Sequence, residues 1–268
     1  MPDLTSPQNP RIKRLLKLSK RSVRDAEGVM VIEGYREVRR ALDHGVVPLE
    51  LYYAPDWFRG GNELAVVEQC RAAGARLASC SREVFARVSY RDRPEGLLLI
   101  APRLEHRLDA LSVPDPALIL VAEAIEKPGN LGSILRSADA TGVHAVLVCE
   151  GVTDIHNPNV IRSSLGTMFT LPVVEAGFEA IRAWLDALGI QVVATSPDAT
   201  LDYTAVDLTR PSAIVVGAEQ YGLRPGWLDG SVTAVRLPML GKIDSLNVAC
   251  ATTVLLYEAV RQRLRRPR

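Results

Sequence analysis

Three short segments in the carboxy-terminal half of this 268-residue chain combine glycines with polar side chains in an order that could serve chemistry. The first is Glu126-Lys127-Pro128-Gly129-Asn130-Leu131-Gly132-Ser133-Ile134-Leu135-Arg136. Its glycines let backbone pass close to a ligand, and the step from Asn130 to Arg136 carries a guanidinium less than two turns along a helix. The spacing is neither GxGxxG nor GxxxxGK[ST], so it describes no dinucleotide or P-loop site, and alone it also fits a tight strand-to-helix turn with a surface arginine. The second is Val215-Val216-Gly217-Ala218-Glu219-Gln220-Tyr221-Gly222-Leu223, a strand entering a glycine and then an acid. Glu219 there can hold a ligand hydroxyl or amine, or cap the next turn. In the third, Leu237-Pro238-Met239-Leu240-Gly241-Lys242-Ile243-Asp244-Ser245-Leu246-Asn247, capping accounts for Asp244 or Ser245. It accounts less well for Asn247, because asparagine within the first turns of a helix has low propensity and wants a partner.

The elements that must hold these segments follow from periodicity and punctuation. From Ala117 onward, apolar runs predict strands at 117–125, 144–149, 190–195, 213–217 and 232–237, with helices at 131–141, 158–165 and 178–188 between them, a βαβ pattern that implies a parallel sheet. A final helix has Leu246, Cys250, Thr253, Leu256, Tyr257, Val260 and Leu264 at three- and four-residue steps, which predicts one apolar stripe. Before residue 102, strands at 30–33, 49–53, 76–79 and 96–101 and helices at 35–44 and 62–73, ending at Gly45 and Gly74, predict a smaller α/β unit. The stretch PRLEHRLDALSVPDP, with three prolines, marks the boundary.

Composition narrows the classes. With 47% hydrophobic and 24% charged residues the chain has a globular balance, and its longest apolar runs are too short to cross a bilayer, which places it in the cytoplasm with no membrane partner. Four dispersed cysteines without CxxC pairing predict buried free thiols, and four histidines without HxxxH or HExxH spacing predict no metal. Net charge is only +1, yet Arg11, Lys13, Arg14, Lys17, Lys20, Arg21 and Arg24 crowd the start and Arg261, Arg263, Arg265, Arg266 and Arg268 the end. Either run alone fits a solvated surface; together they suggest a rim for phosphates.

The three segments, with HNPNVIRSSLGTMFTLPVV between the first two, resemble the signature motifs of the SpoU (TrmH) family of RNA ribose 2′-O-methyltransferases in the SPOUT superfamily. The pieces NPRIK and VMVIEGYREVRRAL are similar, more weakly, to the family's small RNA-binding domain of ribosomal protein L30e type. The resemblance implies an α/β protein with an L30e-like RNA substrate-binding domain at 1–104 and a trefoil-knotted, parallel-sheet methyltransferase domain at 115–268, assembled as a homodimer. The implied cofactor is S-adenosylmethionine, held by Gly217, Leu237, Met239 and Leu246 with Thr195. Arg136 is the implied base or activator; Asn130, Glu219, Ser245 and Asn247 orient it, the ribose or the cofactor. Arg162, with Arg11 and Lys13, is implied to meet RNA phosphate, Arg162 across the dimer. The implied substrate is ribosomal RNA, most simply 23S rRNA. A tRNA methyltransferase of the same fold and a non-catalytic RNA-binding protein on this scaffold are the alternatives, the latter disfavoured by retention of all five polar motif residues. A nucleotide-dependent oxidoreductase lacks its glycine fingerprint.

Overall fold

The structure is a computed structural model that describes residues 2–218 and 220–264. Glu219 and the terminal arginines Arg265, Arg266 and Arg268 lie outside the described residues. The chain forms two compact units, Met1–Leu104 with Asp154–Thr170, and Glu105–Thr153 with Leu171–Arg268.

In the first unit, strands β1 (Val29–Glu33), β2 (Glu50–Tyr53), β3 (Arg76–Ser79) and β4 (Leu97–Pro102) form a sheet in the order β1-β4-β2-β3, antiparallel except for β2 beside β3. Both faces are covered, so β4 is buried at every position from Leu97 to Ala101 instead of alternating. Helices α3 (Tyr35–Asp43) and α4 (Glu63–Ala72) stand where periodicity puts them. Helices α1 (Pro10–Lys17), α2 (Arg21–Glu27) and α5 (Arg82–Val88) are additional. Helix α1 starts at an Asn9 cap and a proline in its first turn, and it buries Ile12 and Leu15, with Leu18 just beyond, against Phe85 and Leu98.

The segment 154–170, beyond the expected boundary near 102–116, belongs to this unit: α7 (Pro158–Ser163) buries Val160 and Ile161 and packs on β1. Its entry is fixed by a buried ion pair between Arg24 and Asp154, so Arg24 is no part of a solvated rim. Arg14 likewise is held by Glu27 and Glu50.

In the second unit β5 (Leu118–Glu123), β6 (Ala145–Cys149), β7 (Val173–Ala176), β8 (Gln191–Thr195), β9 (Leu201–Asp202), β10 (Ser212–Val216) and β11 (Thr233–Arg236) form one parallel sheet, ordered β7-β6-β5-β10-β8-β11-β9. Central strands β5, β6 and β10 are buried throughout, as apolar runs covered on both faces must be. Alternate residues Ile119, Val121, Leu147, Val192 and Val215 meet Ile181 and Leu185 of α8 (Phe178–Ala187) and Trp227 on one side. Helices α6 (Pro128–Ala140) and α9 (Val248–Leu264) pack together and α9 meets β10. Strand order reverses sense between β5 and β10, the kind of switch point beside which open α/β sheets bind ligands.

Helix α9 corrects two expectations. It begins at Val248, leaving Leu246 in the preceding loop, and it buries Val248, Ala249, Thr252, Leu255, Leu256 and Ala259. The predicted stripe is rotated: Cys250, Tyr257 and Leu264 face outward, so Cys250 is an exposed thiol while Cys70, Cys80 and Cys149 are buried. Half of those buried positions are alanine or threonine, small enough for close packing, and they carry little hydropathy signal. Arg263, expected on a solvated rim, instead donates to the carbonyls of Pro116, Ala117, Leu208 and Arg210.

Candidate active site

At the carboxyl edge of the parallel sheet a cleft of about 660 Å³ opens, walled by the ends of β8 and β10 and by the loop leading into α9. Thr195, Gly217, Gly222, Ser245, Leu246 and Asn247 line it. The Thr195 hydroxyl donates to the carbonyl of Val215 (3.1 Å), tying β8 to β10 at the floor. Beyond β10 the chain doubles back, with the amide of Gly222 donating to the Ala218 carbonyl (3.0 Å). A Cβ at position 217 would stand 2.5 Å from the Gly222 oxygen, so only glycine lets the loop close and leaves bare backbone facing the cleft. Leu237 and Met239 lie half-buried at the root of the third loop and outside the cleft-lining residues; that wall is built farther along, by Asp244 through Val248.

The first and third motifs meet. Helix α6 takes its start from Pro128, which places Asn130 in its first turn, and the Asn247 side chain donates from Nδ2 to Asn130 Oδ1 at 3.2 Å. Seven residues along α6, Ser137 shares a 2.7 Å hydrogen bond with Thr253 of α9. Asn247 also accepts from the Ala249 amide (3.1 Å), so it caps α9 as well as bonding across. Capping therefore explains Asn247 better than its spacing suggested, because the helix starts one residue after it. Ser245 is exposed, its hydroxyl 3.3 Å from Asp244 Oδ1.

Arg136 projects from α6 as an exposed side chain, with no hydrogen bond or ion pair among the described residues. Glu219, between Ala218 and Gln220 of the second motif, is outside those residues. In the first unit Arg162 is exposed on α7, its guanidinium donating to Asn159 Oδ1 (3.1 Å). Lys13 is exposed on α1, whereas Arg11 is half-buried and its guanidinium lies 5.1 Å from the centre of the Tyr52 ring.

Pattern reading passed over Glu123, an acid inside an apolar strand and only 3% exposed. The signal was available: a carboxylate in a central strand demands partners. Its partners are Arg224 and Trp227, at the far end of the second loop. Nearby Cys149 is no nucleophile, since burial, then the charges of Glu123 and Glu150, push its thiol up to about 12. Among the described residues no group of acids, histidines and cysteines is arranged to hold a metal, and no helix is long and apolar enough to cross a membrane.

Comparison with known proteins places these features in company. Residues 117–257 match the model of the SpoU rRNA Methylase family, and residues 9–99 that of the MRM3-like substrate binding domain. The 23S rRNA (uridine(2479)-2′-O)-methyltransferase of Streptomyces viridochromogenes is 30% identical over 256 residues, 92% of this chain and 88% of that one. A crystal structure of an RNA 2′-O ribose methyltransferase superposes with TM-score 0.86 at 42% identity, covering 97% of this chain and 99% of the other. The AdoMet-bound rRNA methyltransferase from Sinorhizobium meliloti gives TM-score 0.88 at 30% identity, covering 96% and 97%.

Proposed function

Since the chain belongs to the SpoU rRNA methylase family, we propose that it transfers the methyl group of S-adenosylmethionine to a ribose 2′-hydroxyl of structured RNA, specifically 23S rRNA. One observation carries the reading: the second and third motif loops wall one cleft, and Asn247 of the third is hydrogen-bonded to Asn130 of the first, beside it on α6.

The cleft suits the cofactor in three respects. Its 660 Å³ falls within the roughly 300–1,000 Å³ usual for small-ligand sites. Gly217 exposes backbone donors and acceptors. Asp198 and Asp244 stand on the wall, where acids complement a sulfonium and an ammonium. We assign Thr195, Gly217 and Leu246 to direct contact, with Leu237 and Met239 shaping the root of the loop. When bound, S-adenosylmethionine supplies an electrophilic methyl on sulfur.

The protein must hold the ribose oxygen in line with that methyl and ease loss of its proton. An arginine stays protonated in proteins, so Arg136 acts by stabilising the developing alkoxide, while the proton leaves to an RNA phosphate or to solvent. Asn130 and Asn247 fix α6 against the third loop and thereby the guanidinium; Glu219 and Ser245 orient ribose or cofactor. Residues 1–104, of L30e type, with Lys13, Arg11 and Arg162, grip RNA phosphate, and residues 115–268 carry the chemistry. The loops around the cleft are read as a trefoil knot, which explains why segments so distant in sequence share one wall. The outward face of α9, with Val254, Tyr257 and Leu264 exposed, is assigned to a homodimer contact, and the enzyme works in the cytoplasm on ribosomal RNA.

The test is direct. Radiolabelled S-adenosylmethionine is incubated with unmodified rRNA and tRNA separately, and the labelled ribose is mapped by its resistance to alkaline cleavage. Label confined to alkali-resistant linkages in 23S rRNA is expected; label on tRNA alone, or none, overturns the assignment.

A further inference from the structure

The loop from Gly217 to Leu228 contributes one wall of the cleft, and a buried acid, Glu123, ties it to the sheet. Glu123, at the carboxyl end of β5, accepts the backbone amide of Arg224 at Oε2 (2.9 Å) and the Trp227 indole Nε1–H at Oε1 (3.1 Å). Arg224 Nε lies 2.9 Å from the same Oε1, and its guanidinium also reaches Glu150 (3.5 Å) and covers the Phe178 ring at 4.9 Å. Trp227 is fully buried, edge-on to Phe178 with centroids 4.9 Å apart. Gly226 completes the fit, for a Cβ there would meet Phe178 Cζ at 2.5 Å. This anchored stretch is flanked by Leu223 and Leu228, both of which line the cleft. The carboxylate thus sets where the wall stands without itself lining the cleft.

We propose that Glu123 is a positioning residue for S-adenosylmethionine, acting through Arg224 and Trp227 to hold the Leu223–Leu228 wall of the cofactor cleft. The inference rests on the cofactor reading given above. Glutamate is required because all its partners are donors. In Glu123→Gln the amide must turn its NH2 toward either the Arg224 amide or the Trp227 indole, leaving donor against donor, and the ion pair with Arg224 is lost.

The experiment measures S-adenosylmethionine binding by calorimetry, and steady-state methylation of unmodified rRNA, for wild type, Glu123→Gln, Trp227→Phe and Arg263→Met. Arg263→Met is the stability control, since it removes hydrogen bonds to carbonyls at the opposite end of the strands. Glu123→Gln is expected to weaken cofactor binding about tenfold or more, the effect of one broken buried charge-assisted hydrogen bond, with kcat at saturating cofactor and KM for RNA within about twofold. Trp227→Phe, which removes the indole N–H together with part of the buried bicyclic ring, is expected to weaken it several-fold, and it decides the matter if Glu123→Gln does not fold. Arg263→Met is expected to lower the melting temperature while leaving cofactor affinity unchanged. Unaltered affinity in Glu123→Gln and Trp227→Phe, or equal losses in kcat, RNA KM and cofactor affinity, overturns the proposal. Absence of binding heat in wild type removes the cofactor reading, and this inference with it.

Discussion

Asn247 bonds in two directions, accepting from the Ala249 amide at 3.1 Å as the cap of α9 and donating to Asn130 Oδ1 at 3.2 Å on α6. The two roles separate by substitution. Serine caps a helix about as well as asparagine but is too short to reach Asn130. Asn247→Ser is therefore expected to unfold within about 0.5 kcal/mol of wild type while turnover falls at least tenfold. Paired denaturant titrations and single-turnover assays check this. A loss of stability in step with the loss of rate would reduce Asn247 to a cap.

Arg136 is exposed and carries no partner among the described residues, so its removal should hardly touch the fold. Arg136→Ala is expected to change stability by under about 0.5 kcal/mol, to bind S-adenosylmethionine nearly as wild type and to abolish methyl transfer. Arg136→Lys keeps the charge without the planar fork, and should retain a small fraction of the rate. Near wild-type methylation by the alanine variant would remove Arg136 from the chemistry.

Much of this site was legible in the sequence because glycine and proline punctuate it: Pro128 opens α6, Gly217 ends β10 and the third loop runs from Leu237 to Asn247. What escaped has physical causes. Helix α1 carries Arg11, Lys13, Arg14 and Lys17 within eight residues, and these hide the small apolar set Ile12, Leu15 and Leu18, while α2 is only seven residues long. Strands β7 and β9 are short edge strands, with too few residues to show a period. The return of 154–170 to the first unit rests on long-range contacts, the Arg24–Asp154 pair and the packing of α7 on β1, which no local pattern encodes. Glu123 sat in plain view, but only its distant partners Arg224 and Trp227 give it a role.

The phosphate contacts proposed for the first unit carry a salt signature. Arg162 is exposed on α7 and Lys13 on α1, neither committed to an ion pair among the described residues. Each alanine substitution is expected to weaken RNA binding and to lower the slope of log K against log salt by roughly 0.7–0.9 for every phosphate that is no longer neutralised, with cofactor affinity unchanged. Arg11→Ala should in addition cost stability, because that side chain packs on Tyr52. Filter binding at several salt concentrations measures the slopes; parallel lines would place these residues off the RNA.

The outward face of α9 leaves Val254 38%, Tyr257 51% and Leu264 80% exposed along one side. A stripe of that kind at helical spacing is suited to a second copy of the chain. Tyr257→Glu is expected to shift the protein from dimer to monomer in light scattering without unfolding it. A wild type that is already monomeric at tens of micromolar would sink this assignment.

His156 makes the first unit sensitive to acid. Its ring is 3% exposed, Nε2 lies 3.1 Å from the Leu104 carbonyl, and Nδ1 is buried without a hydrogen-bond partner, 3.9 Å from Asp154 Oδ1. Burial first, then the Arg103 charge, hold its pKa at about 4 instead of the usual 6.5. The unfolded chain therefore takes up a proton near pH 6.5 that the folded unit refuses until about pH 4, so stability declines as pH falls through that window, by ~3 kcal/mol in total. Asp154 does not mask the effect. Burial, the largest single influence, raises its pKa, but the Arg24 hydrogen bond, the His156 amide and the Arg24 charge together outweigh it and hold the carboxyl below 3.8, so its contribution is lost only at lower pH. His156→Gln can still donate to Leu104 and does not titrate, so its unfolding midpoint in guanidinium should stay level between pH 7 and 4.5 while that of the wild type falls. Equal slopes for the two proteins would show that the acid sensitivity lies elsewhere.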